Sequence, residues 1–411
     1  MEVFKTYKTY ILLLIALVYI CIEASQVGGD FVIFLTASQD LYEGVNIYTK
    51  TYFDGYHYLY SVLFALLLKP FTLLPPSLSL FIWLGLNLFF LYRIWKIICT
   101  YFNLSAFSEQ QHFLFVFLSF VFAGRFIRDN FHLAQMTTLM LYLSLEGLQF
   151  IQHNKPKPGA ALIALGINIK LLPLVLLPYL IWRKQFKAAV YTFAFFCFFL
   201  ALPAVFIGKQ QNKQLLGDWW QSINPTQQQH VIDVDERSFH GLSTLLPTLL
   251  MESVPDIHAL TLKRNVADVS VETVNVVLNS VRLILIVFAL YFLGHRPFQE
   301  FENKEKVFWE LSYILLLIPL IFPHQQYYAF LFTMPASTYL LYYLITQKNS
   351  LSKNRFKLIS AILVFVYLCF NLNLILGEFK AYYEHYKIIT YGALLLIPLL
   401  AMCRSIDLRH E

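Results

Sequence analysis

The chain has 411 residues, of which 58% are hydrophobic and only 14% are charged, whereas an ordinary soluble domain carries about 25% charged residues. This composition excludes a soluble protein with a single anchor and predicts that most of the chain lies in lipid. The net charge is +6, and the basic residues form short clusters between apolar runs, which is typical of topology signals and not of a nucleic-acid-binding surface.

Apolar runs of the length that crosses a bilayer recur along the whole chain. A spanning helix needs about 20 apolar residues, and the runs predict an all-α, polytopic membrane protein with about 10 to 12 spans and both termini inside. The first run has no good cleavage site and is interpreted as an uncleaved helix. The clear candidates are 9–25, 77–98, 112–124, 132–151, 188–207, 270–293, 307–322, 327–346, 358–377 and 388–403.

Two apolar stretches, 57–74 and 159–182, are ambiguous. If 57–74 spanned the membrane and 159–182 were a single helix, Lys155 and Lys157 would lie outside, against the rule that basic residues stay inside. The favoured interpretation is that 57–74 does not span and that 159–182 forms two short helices bent at Lys170.

This topology exposes three segments at the outer face: a first outer loop at 26–76, a segment at 124–135, and a large loop at 208–269. No polar stretch approaches 100 residues, so that 1–411 is predicted to be a single transmembrane domain.

The first outer loop opens with an acidic residue at the start of an amphipathic pattern. Asp30 precedes apolar residues at helical spacing, which predict a juxtamembrane helix along the membrane surface, and 59–74 is interpreted as a second one. Asp30 is interpreted as the N-cap of the first juxtamembrane helix, or as a catalytic carboxylate. The two roles are compatible, because a cap fixes the side chain and keeps the acid ionised.

Four basic residues fall at the predicted outer face, namely Arg125, Arg128, Lys170 and Arg237. Charges at membrane depth are costly and tend to be functional, and such cations are suited to hold a phosphate. Arg125 and Arg128 have an alternative role as side chains that reach the interface from helix ends, with Arg128 paired to Asp129. Lys170 interrupts an apolar run, which favours a functional role.

Other polar residues near the same face are candidates for substrate contact. His132 and Gln135 begin a predicted helix and either bind sugar hydroxyls or satisfy backbone groups at the helix end. His324 lies in a late outer loop that would face the same cavity. The acids at 233–236 are too loosely spaced, and lack a supporting histidine, so that no metal site is predicted.

The first-loop pattern Asp30-Phe31, Ala37-Ser38 and Gly44-x-Asn46-x-Tyr48 resembles glycosyltransferase family 87 (DUF2029). The resemblance continues in the right order along most of the chain. Its further elements are Gly124-Arg125 through Gln135, Gly166-x-x-x-Lys170-Leu171-x-Pro173, Ser238-Phe239-x-Gly241-Leu242, and Pro323 with the Tyr327-Tyr328 pair.

The resemblance implies a GT-C type enzyme at the outer face of the membrane, in a bacterium the periplasmic side of the inner membrane. It implies an inverting transfer of a hexosyl, in particular mannosyl, unit from a polyprenyl-phosphate donor to a glycolipid or glycan acceptor, without metal or cofactor. Asp30 would be the base, and Tyr327 a substrate contact. The chemistry agrees, because a single displacement needs one carboxylate and cations for the leaving phosphate.

The chain departs from the family pattern at three places. Tyr60-Ser61-Val62 replaces a frequent Tyr-Pro-Pro, and Glu236-Arg237 replaces Asn-Gln. Where some members carry a late histidine, this chain has Tyr327 and Tyr328, with His324 closer to the proline.

Two other classes of membrane protein remain open at this point. A transporter or flippase of lipid-linked sugars would explain the intramembrane charges, but it predicts internal symmetry that the chain lacks. A surface-polysaccharide polymerase or ligase would concentrate its key arginines and histidines in a large late loop, whereas the leading acid here follows the first helix.

Overall fold

The computed structural model of the protein describes residues 17–26, 28–224, 230–234, 237–252, 254, 256–257, 259–294, 296–301 and 303–404. Within these ranges the regular structure is helical, apart from two isolated bridges, which confirms the all-α prediction. The longer helices are α1 (Leu17–Ser25), α2 (Asp30–Tyr42), α5 (Pro76–Cys99), α6 (Glu109–His132), α7 (Thr137–Gln152), α8 (Pro156–Ile169), α10 (Phe186–Ala201), α12 (Lys209–Ile223), α13 (Leu242–Leu250), α14 (Val271–Leu293), α15 (Lys304–Ile321), α16 (Met334–Thr346), α17 (Lys353–Asn371) and α19 (Ile388–Met402). The short ones are α3 (Val62–Leu67), α4 (Lys69–Thr72), α9 (Leu176–Trp182), α11 (Ala204–Ile207) and α18 (Lys380–His385).

Among the described residues, six helical segments are long and apolar enough to cross a bilayer, and up to eight if two bent helix pairs each count as one span. The chain is therefore a polytopic, all-α membrane protein. These criteria give fewer spans than the predicted 10 to 12, because α7 and α8, with 16 and 14 residues, are shorter than the usual span. The helix α15 does not count either, because its 18 residues include four charged ones.

The first outer loop contains the predicted helix α2, which bends by 64° from α1. The prediction that Asp30 is the N-cap is wrong: Gly29 occupies that position, and Asp30 is the first helical residue. Gly29 has φ 62°, a conformation that glycine adopts without strain, and it lets the helix begin immediately at the acid. Asp30 then lies in the first turn, where the helix dipole favours a carboxylate.

Both ambiguous stretches are broken in the structure. The stretch 57–74 contains α3 and α4, of six and four residues, so that it does not span. The helix α8 ends at Ile169, Lys170 is extended with φ −152°, and a short 3₁₀ helix and α9 follow. Pro173 has no N–H to bond the carbonyl of Ile169, which explains the predicted bend at Lys170.

Two predicted outer segments are more regular than the sequence indicated. The segment 124–135 is helical to His132, because α6 continues past Arg125. The charge of Arg125 is accommodated by Asp129 one turn later, with 3.4 Å between Nε and Oδ2. The loop 208–269 includes the helices α12 and α13.

The helices α7 and α8 pack backbone against backbone at Gly147 and Gly159. A Cβ atom at Gly159 would lie 2.4 Å from the carbonyl oxygen of Gly147, which cannot yield without separating the helices. We expect Gly159→Ala to destabilise the protein by about 1–3 kcal/mol, measured as a lower melting temperature in detergent. Gly217→Ala is the control, because open space surrounds that position. Equal melting temperatures for the two variants would contradict the close packing.

Candidate active site

A cavity of about 70 Å³ lies where the first loop, the Lys170 turn and the segment before α16 meet. Of the residues predicted for a site, it brings together Asp30, Lys170 and His324. Its other wall residues are mostly aromatic or polar: Ile33, Phe34, Tyr56, His57, Leu59, Tyr60, Phe239, Gln326 and Tyr328. Pockets for small molecules usually measure about 300–1,000 Å³, so that this cavity must widen to admit a substrate.

The carboxylate of Asp30 is oriented by a fully buried glutamine. Gln135 Nε2 donates a hydrogen bond to Asp30 Oδ2, and Gln135 Oε1 accepts one from the hydroxyl of Tyr60 at 3.1 Å. The glutamine backbone is itself fixed, since Gln135 N–H donates to the carbonyl of Asn130 at 2.9 Å. The predicted substrate residue Gln135 therefore holds the acid and does not line the cavity.

Asp30 lies at the bend between α1 and α2, apart from the six helical segments that are each long and apolar enough to cross a bilayer. Burial raises the pKa of its carboxyl group above the ordinary value, while the hydrogen bond from Gln135 and the charge of Lys170 act in the opposite direction. A raised carboxyl pKa in a cavity is typical of a group that exchanges protons, because it brings the acid closer to the working pH.

Lys170 faces the same cavity from the broken end of α8. Its Nζ lies 5.7 Å from the centre of the Tyr60 ring. Two contacts tie this turn to the start of α3: Ser61 N–H donates to the carbonyl of Ile169 at 3.3 Å, and Ser61 Oγ donates to Asn168 Oδ1 at 2.9 Å. A carboxylate and an ammonium group thus share one aromatic cavity, an arrangement suited to a ligand with a hydroxyl and an anionic group.

His324 lines the cavity from the segment before α16. Its backbone has φ 53°, and its N–H donates to Asp233 Oδ2 at 2.6 Å. The ring Nδ1 lies 2.8 Å from Asp233 Oδ1, and Nε2 lies 2.5 Å from Nδ1 of His230. An antiparallel bridge between Phe239 and Gln326 fixes this segment beside the cavity.

Arg125, Arg237 and Tyr327 lie outside the cavity wall. Arg125 is almost fully buried, where its guanidinium donates to the hydroxyl of Tyr383 at 2.7 Å and lies 5.3 Å from the centre of the Tyr327 ring. Arg237 is half exposed and forms an ion pair with Glu384 at 3.5 Å. These contacts join α6, α18 and the segment before α16 into one support behind the site.

Arg128 and His132 lie on the surface of α6. Arg128 is 57% exposed, 3.6 Å from Asp129, and borders an apolar groove of about 380 Å³ between α1, α5 and α6. His132 Nδ1 is 3.0 Å from an oxygen of Glu23 at the end of α1. Neither of these two predicted residues lines the cavity that contains Asp30.

Several residues of the cavity wall were not predicted from the sequence. His57, Tyr60, Gln326 and Tyr328 all line the cavity. The run of tyrosines at 52–60 indicated His57 and Tyr60, because it precedes a short helix beside the predicted acid. Tyr328 stood next to a predicted residue, but nothing in the pattern distinguished it from Tyr327.

Among the described residues, no group of three or more histidines, cysteines or acids is arranged to hold a metal ion. Of the acids at 233–236, Asp233 contacts His324, while the other two lie outside the described residues.

The sequence profile of glycosyltransferase family 87 matches residues 58–299, more than half of the chain. No curated protein and no solved structure matches the chain significantly. The matched stretch includes Gln135, Lys170 and Asp233, while Asp30 and His324 lie on either side of it.

Proposed function

Because the chain belongs to glycosyltransferase family 87, we propose that it performs an inverting hexosyl transfer from a polyprenyl-phosphate donor to the hydroxyl of a glycolipid or glycan. The reaction takes place at the outer face of the membrane and uses no metal ion or cofactor. The observation that carries the proposal is the placement of Asp30 and Lys170 on one aromatic cavity.

Asp30 acts on the acceptor, and Lys170 acts on the leaving phosphate. Asp30 accepts the proton of the acceptor hydroxyl as its oxygen forms a bond to the anomeric carbon. The bond from that carbon to the phosphate oxygen breaks, and Lys170 stabilises the charge that develops on the phosphate. The acceptor approaches opposite to the leaving group, so that the configuration at the anomeric carbon is inverted.

Aromatic rings and apolar grooves suit the rest of such a donor. Tyr60 and Phe34, whose ring centres are 4.9 Å apart, offer faces against which a sugar packs. An open apolar groove of about 670 Å³ lies between α10 and α12, with Lys209 and Lys213 among its lining residues. The groove is coupled to the site, because Trp219 of α12 donates to the carbonyl of Leu59 at 3.2 Å. We assign this groove to the hydrocarbon chain of the donor.

The proposal is tested with purified protein in lipid nanodiscs, incubated with polyprenyl-phosphate hexoses and a membrane glycolipid fraction. We expect release of polyprenyl phosphate in step with a product whose anomeric configuration, measured by NMR, is opposite to that of the donor. A retained configuration would contradict the single displacement. Transfer only from nucleotide-linked sugars would contradict the choice of donor.

The pH dependence of the reaction follows from the surroundings of Asp30. The base must be ionised, so activity falls as the pH drops through its pKa. The hydrogen bond from Gln135 lowers that pKa, and Gln135→Leu removes the bond. We expect the acid limb of kcat/KM to move to higher pH in Gln135→Leu and to stay in place in the control Gln39→Leu, an exposed position of α2. A shift to lower pH would contradict the assignment.

A further inference from the structure

The wall of the cavity reaches the surface of the protein at one place. Among the described residues that line it, Tyr56 and His57 alone are exposed, Tyr56 by 45%, while the others are buried or half-buried. The two side chains are neighbours in the sequence of the first outer loop. We call them the mouth of the cavity, because a molecule that enters from this loop meets them first.

The surface of the loop that carries the mouth faces water and not the hydrocarbon of the bilayer. Its exposed residues include Glu43, Thr49 and Thr51, and charged or polar side chains are costly in hydrocarbon. A different wall residue, Leu59, accepts a hydrogen bond from Trp219 of α12, the helix that borders the groove assigned to the hydrocarbon chain of the donor. The wall therefore meets water at the mouth and meets the lipid-binding helix at Leu59.

The turn that carries the mouth is fixed in place. The N–H of Tyr52 donates to the carbonyl of Tyr56 at 2.8 Å, and the N–H of Tyr56 donates back at 3.1 Å. Gly55 permits this turn with φ 99°, a conformation that strains other residues. Lys50 forms an ion pair with Asp40 of α2 at 2.7 Å. Side chains on such a preorganised turn lose little conformational entropy when they bind a ligand.

The chemistry of the mouth suits a neutral sugar. The ring of Tyr56 offers an apolar face against which the C–H groups of a hexose pack, and the ring nitrogens of His57 form hydrogen bonds with hydroxyl groups. Neither residue is a lysine or an arginine, which are the residues suited to hold a phosphate. The lysine of the wall, Lys170, is half-buried and does not belong to the mouth.

We propose that Tyr56 and His57 bind the terminal sugar of the acceptor, which enters the cavity from water. The acceptor is then recognised by its glycan and not by its lipid, whereas the donor is held through its hydrocarbon chain. The acceptor hydroxyl passes the mouth and reaches Asp30, to which it gives its proton. This inference rests on the proposed transferase function and deepens it, because it names the part of the acceptor that is recognised and the residues that bind it.

The first test asks whether the acceptor needs its lipid. The membrane glycolipid fraction is compared with the same fraction after mild alkali has removed its fatty acids, which leaves water-soluble glycans. We expect the wild type in nanodiscs to transfer sugar to both, with similar kcat. Transfer to the intact fraction and none to the soluble glycans would overturn this inference.

The second test measures KM for the soluble glycans and for the donor separately. We expect Tyr56→Ala to raise the glycan KM about tenfold, which corresponds to about 1.4 kcal/mol, and His57→Ala to raise it about fivefold. The kcat and the donor KM should stay within about twofold of the wild type, because only acceptor binding is removed. Tyr56→Phe keeps the ring and should keep the glycan KM, and His57→Gln should recover part of the loss.

The matched control is Phe53→Ala. Phe53 belongs to the same turn and is 57% exposed, but it is not among the residues that line the cavity. It should keep the wild-type KM for both substrates, and a rise equal to that of Tyr56→Ala would contradict the assignment of the mouth.

An unchanged glycan KM in Tyr56→Ala and His57→Ala, or a raised donor KM in its place, would overturn this inference alone, because sugar transfer itself persists. Should Tyr56→Ala fail to fold, as judged by its melting temperature, His57→Ala decides by the same criterion. A wild type that releases no polyprenyl phosphate even with the intact glycolipid fraction would overturn the proposed function, and this inference with it.

Discussion

Asp30→Asn is expected to lower kcat for sugar transfer by about a thousandfold, with little change in the KM for the donor. The asparagine has the same shape and still accepts from Gln135, but it cannot take the proton of the acceptor hydroxyl. General base catalysis contributes about 10²–10⁴ in rate, and this variant removes it from the only step in which bonds change.

The control for this variant is Glu43→Gln, which neutralises an exposed acid at the other end of α2 and should keep wild-type kcat. Melting temperature and membrane insertion are measured for both proteins. A folded Asp30→Asn protein that retains more than about a tenth of wild-type kcat would rule out this carboxylate as the base.

Lys170→Met is expected to lower kcat by about 10²–10³, because it removes a positive charge that faces the departing phosphate in a cavity largely shielded from water. Methionine keeps the length of the side chain and its packing near Tyr60. Lys170→Arg should recover part of the loss, since the charge is restored in a different shape. Activity is compared on the pH plateau, because the charge of Lys170 also lowers the pKa of Asp30.

Lys184→Met is the matched control for Lys170→Met. Lys184 is about half exposed and forms a surface ion pair with Glu300 at 3.2 Å, so its loss should leave kcat unchanged. If Lys170→Met and Lys184→Met showed the same kcat, a role of Lys170 in stabilising the phosphate would be excluded.

The elements that position the site could be predicted where a residue interrupts the sequence pattern on either side of it. Lys170 and Pro173 interrupt an apolar run, and a helix cannot continue there without unpaired groups. Likewise, an acid that begins an amphipathic helix after the first apolar run identified Asp30 as a candidate. The sequence did not distinguish its position in the first turn from a cap, because the turn geometry depends on Gly29.

The contacts between residues on different elements of the site could not be predicted from the sequence. Gln135 is 105 residues from Asp30, and His230 is 94 residues from His324, and no spacing rule joins positions so far apart. Arg125 was predicted to contact the substrate, but in the structure it contacts other protein side chains. An arginine within a predicted outer segment resembles a phosphate ligand, but its neighbours in the folded chain include Tyr383, 258 residues away.

The proposed mechanism depends most on where the donor phosphate binds. The direct test is an experimental structure of the protein with an unreactive polyprenyl-phosphonate analogue of the donor. We expect the phosphonate within about 4 Å of the Lys170 Nζ, the sugar between Asp30 and Tyr60, and the cavity open to the outer face of the membrane. A phosphonate bound away from Lys170, or a cavity that opens to the inner face, would contradict the proposed mechanism.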